Sequence, residues 1–395
     1  MTKQTTSAPV VIIGGGIAGC ATAFYLAKRG VHALLLEKST FGFEASGRNA
    51  GGVRAQCRDI SADRILAMKS IELWQTLDDE LETVTEYTQG GTIRLAANQQ
   101  RLDELAAQSK GELADGLYVE MWNQDKLYRH CPFLASGFIG AKYCPTDGNA
   151  NPKLVAPAFA AAAERLGART WKHTEVSAVN VEDGQVRSVT ACNADGEWQI
   201  ETEMVVHTGG PWTSILAQQL GLQVPIVPSR TIIGRTEPMP SLFSEFISSH
   251  DAEVYARPDK RGCIHIGAVA QPIDAFENCT AEDVRTYLEK RINLIPALGE
   301  PTIEEVWWGD LAMTPDRQPI IGPVEGVDGY LLAAGFSGHG FCLGPIMGKL
   351  MSELVIDGQA SLPIDAFSVH RFDESNEFGR GKLQGTGEGT VEEIV

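Results

Sequence analysis

The first strong pattern in the chain is a short apolar block, "VVII" (10–13), running directly into consecutive glycines. A compact β-branched run of this kind predicts a buried strand of a parallel sheet. From Ile17 to Arg29 the spacing predicts a helix, with Gly19, Ala21 and Ala23 small enough for one face to lie close on a sheet. Gly30 stops that helix, and "ALLLE" (33–37) predicts the second strand. Residues 61–83 read as a further helix, with Ile65, Met68, Leu73 and Leu77 among its apolar positions. The stretch 90–97 reads as a strand, and 151–168 as a helix capped by Asn151 with Pro152 at its first position.

Alternation over 174–182 and 185–192 predicts two more strands, and 204–212 a strand entering a glycine turn. Between about 223 and 306 the character changes: 255–269 predicts a hairpin and 281–298 an amphipathic helix. Glycine-punctuated α/β character returns with "GYLLAAGFSGHGFCLGPIMGKLMSELVIDG". Beyond Phe372 the sequence is polar and glycine-rich, which predicts a tail without a fixed fold or one that docks on a partner.

Composition narrows the function classes. The 395 residues suffice for two domains. No run of about 18 apolar residues predicts a membrane span. The start lacks the basic, apolar and small-residue regions of a secretory signal, so a cytoplasmic location is expected. The 8 cysteines are scattered without a C-x-x-C, which argues for reduced thiols and against a metal or iron–sulfur site in this chain. A net charge of −18 argues against nucleic acid as a partner. It leaves small anionic substrates open, because a few local arginines suffice for them.

Gly14, Gly16 and Gly19 lie between the first strand and helix, in the spacing of a dinucleotide cradle. Gly14 permits the tight turn, Gly16 lets backbone approach a pyrophosphate, and Gly19 lets helix meet sheet. The helix N-terminus, including Ile17 and Ala18, offers free N–H groups and a positive dipole end. Glu37, followed by Lys38, closes the second strand where a carboxylate accepts ribose hydroxyls and repels a 2′-phosphate. NADP is thereby disfavoured, whereas FAD and NAD stay open. The next stretch, "FGFEASGRNAGGVR" (41–54), carries Ser46, Arg48, Asn49 and the amides of Gly51 and Gly52. A small-residue loop of this sort can wrap a pyrophosphate and run under a planar ring.

The fingerprint, "EASGRNAGGVR", "TDGNANPKLVAPAFAAAAERLGA", "VVHTGGPW", "GDLAMTPDRQPIIG" and "GFSGHGFCLGPIMGKLMSEL" follow one another in an informative order. In this the chain resembles the D-amino-acid oxidase/glycine oxidase/sarcosine oxidase superfamily of FAD-dependent oxidoreductases. Within it, the "MTPDRQPIIG" element is most similar to sarcosine oxidase β-subunits and to flavoprotein subunits of opine and hydroxyproline dehydrogenases. The resemblance implies an α/β fold with a discontinuous Rossmann-like FAD-binding domain (1–84, 146–222 and 307–372). An α+β substrate domain on an antiparallel sheet (85–145 and 223–306) would be interleaved with it, and 373–395 would form the tail. It implies that Gly14, Gly16, Ile17, Ala18, Gly19, Glu37 and Lys38 bind the ADP half of FAD, with the backbone of Val176 at the adenine. Ser46, Arg48, Asn49, Gly51 and Gly52 would line phosphates and flavin. Gly209 and Trp212 would pass near the cofactor, and Gly335, Gly338, His339, Gly340 and Phe341 would meet the flavin pyrimidine edge.

The implied chemistry is oxidation of an amino-acid C–N bond, with an N-substituted secondary amine favoured, by hydride transfer to flavin N5. The resulting imine hydrolyses in water. Arg54 matches a carboxylate anchor and Tyr255, with Arg257 nearby, borders the substrate pocket. His339 is a candidate polar group at the active site. Three departures matter. Ala312 and Met313 stand where glycine-oxidase-like members carry an arginine. Cys342 replaces the lysine after "GHGF" in monomeric sarcosine oxidases, and His265 replaces their oxygen-activating lysine. Gly309 lies near the place of their flavin-linking cysteine, so non-covalent FAD is expected. Loss of the lysine predicts a dehydrogenase subunit that hands electrons to another acceptor or to partner subunits holding a further flavin or iron–sulfur centre. A self-sufficient oxidase releasing hydrogen peroxide and an electron-transfer subunit inactive alone are the alternatives.

Overall fold

In the computed structural model, described over residues 4–268, 270–273 and 279–373, the "VVII" block forms the strand Val11–Ile13. It sits inside a six-stranded sheet ordered Ile320–Pro323, Tyr330–Ala334, Val205–His207, Val11–Ile13, Leu34–Leu36 and Arg169–Trp171. All neighbours are parallel except the first pair, which is antiparallel. Because successive side chains point to opposite faces, Ile12 and Leu35 join one core while Val11, Ile13, Leu34 and Leu36 join another. The first core holds the helices Ile17–Lys28, Pro152–Arg165 and Gly340–Asp357. The second packs the sheet on a four-stranded sheet of Gln4–Ser7, Gly196–Glu201, Gln185–Asn193 and Glu175–Glu182. A sheet buried on both faces explains why its strands are continuously apolar.

A nine-stranded sheet stands apart, ordered Gln271–Pro272, Val227–Pro238, Cys263–Ala268, Val254–Pro258, Phe246–Ser249, Thr92–Ala96, Gly140–Cys144 and Glu120–Asn123. Ile303–Met313 pairs along Val227–Pro238 and crosses the expected boundary at 306/307. The parallel pairing of Phe246–Ser249 with Thr92–Ala96 joins the two expected segments of the substrate unit in one sheet. One face carries Ile93, Leu95, Ile247, Ala256, Ile264 and Ile266 against Val284 and Leu288 of the helix Ala281–Arg291. The register puts Arg94, Ser248, Tyr255 and Gly267 together on the other face.

The expected strands 90–97, 174–182, 185–192 and the hairpin over 255–268 are present. Residue 269 and the tail from 374 lie outside the described residues. Three helices are shorter than their patterns predict. The helix expected over 61–83 ends at Trp74, because Thr76 adopts φ −111° and ψ 5°, and restarts as Leu77–Leu81. The helix expected over 281–298 ends at Arg291 and continues as two 3₁₀ turns, Ile292–Leu294 and Pro296–Leu298. Pro296 lacks an N–H and pushes Ile295 to φ −128°, which a helix does not allow. The helix over 151–168 starts as expected, with the Asn151 side chain accepting from the Lys153 amide, but stops at Arg165.

Candidate active site

The turn after Val11–Ile13 is held by a remote residue. Thr208 donates from its hydroxyl to the carbonyls of Ile13 (2.9 Å) and Gly14 (2.8 Å). Gly14 has φ +101°, and a Cβ there would come within 2.6 Å of the Thr208 carbonyl oxygen. A Cβ on Gly19 would collide with the Gly14 carbonyl and lie 2.6 Å from the Thr208 hydroxyl. Both positions therefore demand glycine. The helix they open, Ile17–Lys28, has no acidic residue in its first turn. Its first amide, Ile17 N–H, donates to the Ser46 hydroxyl at 2.9 Å, which brings Ser46 and Gly16 to the same helix end. Ala18 is the next residue of that turn and is buried.

Glu37 is oriented by two backbone donors, Gly15 (2.7 Å) and Ser39 (2.6 Å), leaving lone pairs for hydroxyl donors. The Thr174 amide donates to the Glu37 carbonyl at 2.9 Å, so the strand Glu175–Glu182, with Val176 its second residue, starts beside the same sheet end. Lys38 lies 3.2 Å from the ring centroid of Trp212, tying the Glu37 end to the Gly209 turn.

Residues 45–48 form a short helix within the small-residue loop. Asn49 shapes that loop: its Nδ2 donates to the carbonyls of Ala45 and Ser46, and its Oδ1 accepts from Gly51. Arg48 turns outward, donating to the carbonyls of Phe43 (2.9 Å) and Trp308 (3.2 Å). Gly52 pairs with Asn149, and the Gly51 carbonyl accepts from Ala150. Arg257, 2% exposed, donates from Nε to the carbonyl of Ala50 and pins the loop to the nine-stranded sheet. Burial lowers its pKa to about 10, which leaves it protonated at neutral pH.

At the far end of the chain, Gly335, Ser337 and Gly338 all have positive φ, and they turn the backbone so that Gly340 starts the last helix. Nothing caps that helix with a side chain. Phe341 stacks near Trp74, and the Cys342 carbonyl accepts from Ser70 (2.6 Å) and Trp74 (2.9 Å). Burial pushes the Cys342 thiol up to about 11, which keeps it protonated. His339 lies 3.6 Å from Asp63, whose other oxygen accepts from Arg58 at 2.9 Å. Burial and the Arg58 charge lower the His339 pKa to about 4, so the ring is neutral.

The structure brings Arg54 and Tyr255 together through Phe246. The Arg54 guanidinium lies 4.7 Å from the Phe246 ring centroid, and the Tyr255 ring stacks on Phe246 at 5.5 Å. Burial and the neighbouring Arg94 lower the Arg54 pKa to about 10, so it stays a cation at neutral pH. Burial raises the Tyr255 pKa, so it is a neutral phenol; its hydroxyl reaches Thr231 at 3.5 Å. His265 stands on the strand beside Tyr255 and Arg257 and bonds Asp259 at 3.1 Å. Burial takes its pKa down to about 4, so it supplies no fixed positive charge. Arg94 belongs to this face and was not singled out in the sequence. Within "TIRLA" (92–96) Arg94 alternates with the buried Ile93 and Leu95, like any solvent-facing position, and only strand pairing sets it opposite Ser248.

A glycine turn at an open helix end, an oriented carboxylate after the second strand, and a small-residue loop pinned under a polar sheet face together fit FAD. Residues 9–354 match the family of FAD dependent oxidoreductases known as DAO, and the chain belongs to that family. Its relatives include glycine oxidase of Bacillus subtilis (strain 168), 28% identical over 370 residues that cover 91% of this chain and 96% of that one. Mitochondrial sarcosine dehydrogenase of Homo sapiens is 28% identical over 386 residues, 94% of this chain but 42% of the relative. The chain thus spans less than half of that enzyme. Among solved structures, L-proline dehydrogenase from P. horikoshii superposes with a TM-score of 0.87 at 28% identity, covering 94% of this chain and 99% of the other. Among the described residues, no helix is long and apolar enough to cross a membrane, and no cluster of His, Cys, Asp or Glu is placed to hold a metal ion.

Proposed function

We propose that the chain oxidises the C–N bond of an amino acid, preferentially an N-substituted secondary amine, and passes the electrons to an acceptor other than oxygen. The observation that carries the substrate class is Arg54, a half-buried guanidinium on Phe246 beside Tyr255 that forms no ion pair with a carboxylate among the described residues. A substrate carboxylate supplies the missing counter-ion, and the planar fork fixes its orientation. FAD, when bound without a covalent link, supplies the two-electron acceptor for C–H cleavage beside nitrogen.

The protein's own residues arrange the rest. Gly14, Gly16, Ile17, Ala18 and Gly19 offer backbone to a pyrophosphate, and Glu37 holds ribose hydroxyls. Lys38, Val176, Gly209 and Trp212 border the adenosine end, while Ser46, Arg48, Asn49, Gly51 and Gly52 hold the loop toward the ring. Gly335, Gly338, His339, Gly340 and Phe341 place the open N-terminus of the last helix where negative charge on a reduced ring is stabilised. Tyr255 stays protonated and bonds the substrate as a neutral donor. His265 is a neutral ring where related oxidases carry a lysine, which supports an acceptor other than oxygen. Partner subunits would then complete the electron path.

The test is anaerobic bleaching of the FAD-loaded protein by a panel of secondary and primary amino acids, followed by reoxidation with air or with an artificial acceptor. If no amine bleaches the flavin, the reading fails. Reoxidation by air at the turnover rate would instead make the chain a self-sufficient oxidase.

A further inference from the structure

We propose that Arg54 and Arg94 together bind a substrate carrying two carboxylates: an amino acid with a second carboxylate on its N-substituent or its side chain. This inference rests on the amino-acid reading above and names the substrate class of the same site.

Lys142 pairs with Glu112 at 2.8 Å, Arg58 with Asp63 at 2.9 Å, Arg64 with Asp115 at 2.6 Å, and Arg101 with Glu104 at 2.9 Å. Arg54 and Arg94 have no such partner among the described residues, and Arg94 Nε is buried without a hydrogen bond. The charge of Asp147 acts on Arg54, but the two form no ion pair: its Oδ1 accepts from the Ala55 amide at 2.7 Å and its Oδ2 is buried without a hydrogen bond. In a chain of net charge −18, two half-buried neighbouring guanidiniums without an ion-pair partner among the described residues are unusual. Partly buried cations without an ion-pair partner are costly to hold, and an anionic ligand relieves that cost.

Geometry makes the two arginines one site. The sheet register runs Arg94 opposite Ser248 and Ser248 opposite Tyr255, so all three side chains leave the same face. Phe246, two residues before Ser248 on its strand, carries Arg54 on its ring and Tyr255 alongside. After burial, the charge of Arg94 is the largest influence on the Arg54 guanidinium. Arg94 and Tyr255 stand two strands apart, roughly 10 Å between backbones. One carboxylate therefore meets Arg54 beside Tyr255 and the second, several bonds away, meets Arg94.

Isothermal titration of the FAD-loaded chain with glutarate and with butyrate tests this without turnover. The expected result is glutarate binding about tenfold or more tighter than butyrate, the size of one charge-assisted hydrogen-bonded pair. R94Q removes that advantage, and R94K keeps part of it. Equal affinities in the wild type, or an advantage that survives R94Q, overturn the proposal. Should R94Q fail to retain FAD, the wild-type ratio and R94K decide. Anaerobic bleaching with N-(carboxymethyl)alanine and N-methylalanine separates the two readings. If glutarate keeps an Arg94-dependent advantage while no amine bleaches the flavin, the dianion site stands and amine oxidation falls. If amines bleach it but the dicarboxylate has no advantage, the reverse holds.

Discussion

Asp63 stands between the Arg58 cation and the neutral ring of His339: its Oδ1 accepts from Arg58 at 2.9 Å, and its Oδ2 lies 3.6 Å from Nδ1 of His339. Arg58 in turn donates from Nη2 to the carbonyl of Arg54 at 2.8 Å. Arg54, the proposed carboxylate anchor, and the histidine at the head of the last helix are thus braced by one fully buried carboxylate.

Asp63→Asn leaves the Arg58 charge buried without its counter-ion. Loss of one partner of such a pair costs about 3–5 kcal/mol. Urea denaturation should show this as a lower midpoint with an unchanged slope. His339→Gln, which removes no charge from a neutral ring, should shift the midpoint far less.

Gly19→Ala drives a methyl into the Gly14 carbonyl and the Thr208 hydroxyl. Overpacking of this kind costs about 1–3 kcal/mol. Because the displaced groups form the turn itself, flavin retention after gel filtration should fall more sharply than the melting temperature.

Arg54→Gln removes the fork proposed to meet a carboxylate, and KM for the bleaching amino acid should rise roughly tenfold to a hundredfold. Arg54→Lys should recover only part of that, because a point charge cannot make the paired hydrogen bonds. A variant with unchanged KM would remove Arg54 from substrate binding.

Acid sensitivity should begin above the carboxylate range. His207 is 1% exposed, shares a 2.6 Å hydrogen bond with Tyr330, and has its pKa lowered by burial to about 4. The unfolded ring titrates near the ordinary value of about 6.5. Between those values the unfolded state binds the extra proton, so stability falls as pH drops through the window and levels off below about 4. The loss reaches at most about 3 kcal/mol from this group. Thermal melts of wild type and His207→Asn from pH 7 to 4 should converge as pH falls.

Acid precipitation should release all flavin into the supernatant. Cys342 keeps its proton up to about 11 and is 2% exposed, so it is neither a linking thiolate nor open to alkylation. Yellow colour retained in the pellet would contradict this.

What could be read in advance follows the range of each constraint. Gly14, Gly19 and Glu37 were legible because a turn, a helix start and a strand end lie within one βαβ unit. The stop at Trp74 was not, since Leu77 continues the apolar spacing and only the Thr76 backbone departs. Arg48 and Asn49 offered donors in the sequence, yet the folded loop uses them on its own carbonyls and on Trp308. Arg94 was invisible for the opposite reason. Its significance comes from Phe246–Ser249, a strand that pairs with it across a long stretch of chain, and from neighbours that already have acids.

The hydroxyl of Thr208 clasping the Ile13 and Gly14 carbonyls also has a consequence for biosynthesis. The glycine turn is made early on the ribosome, but its clasp emerges with the strand Val205–His207, and the helix led by His339 later still. A nascent chain halted before Thr208 lacks the clasp, so the glycine turn near its start stays open until more than half of the chain has been made. Contacts this distant in sequence form slowly.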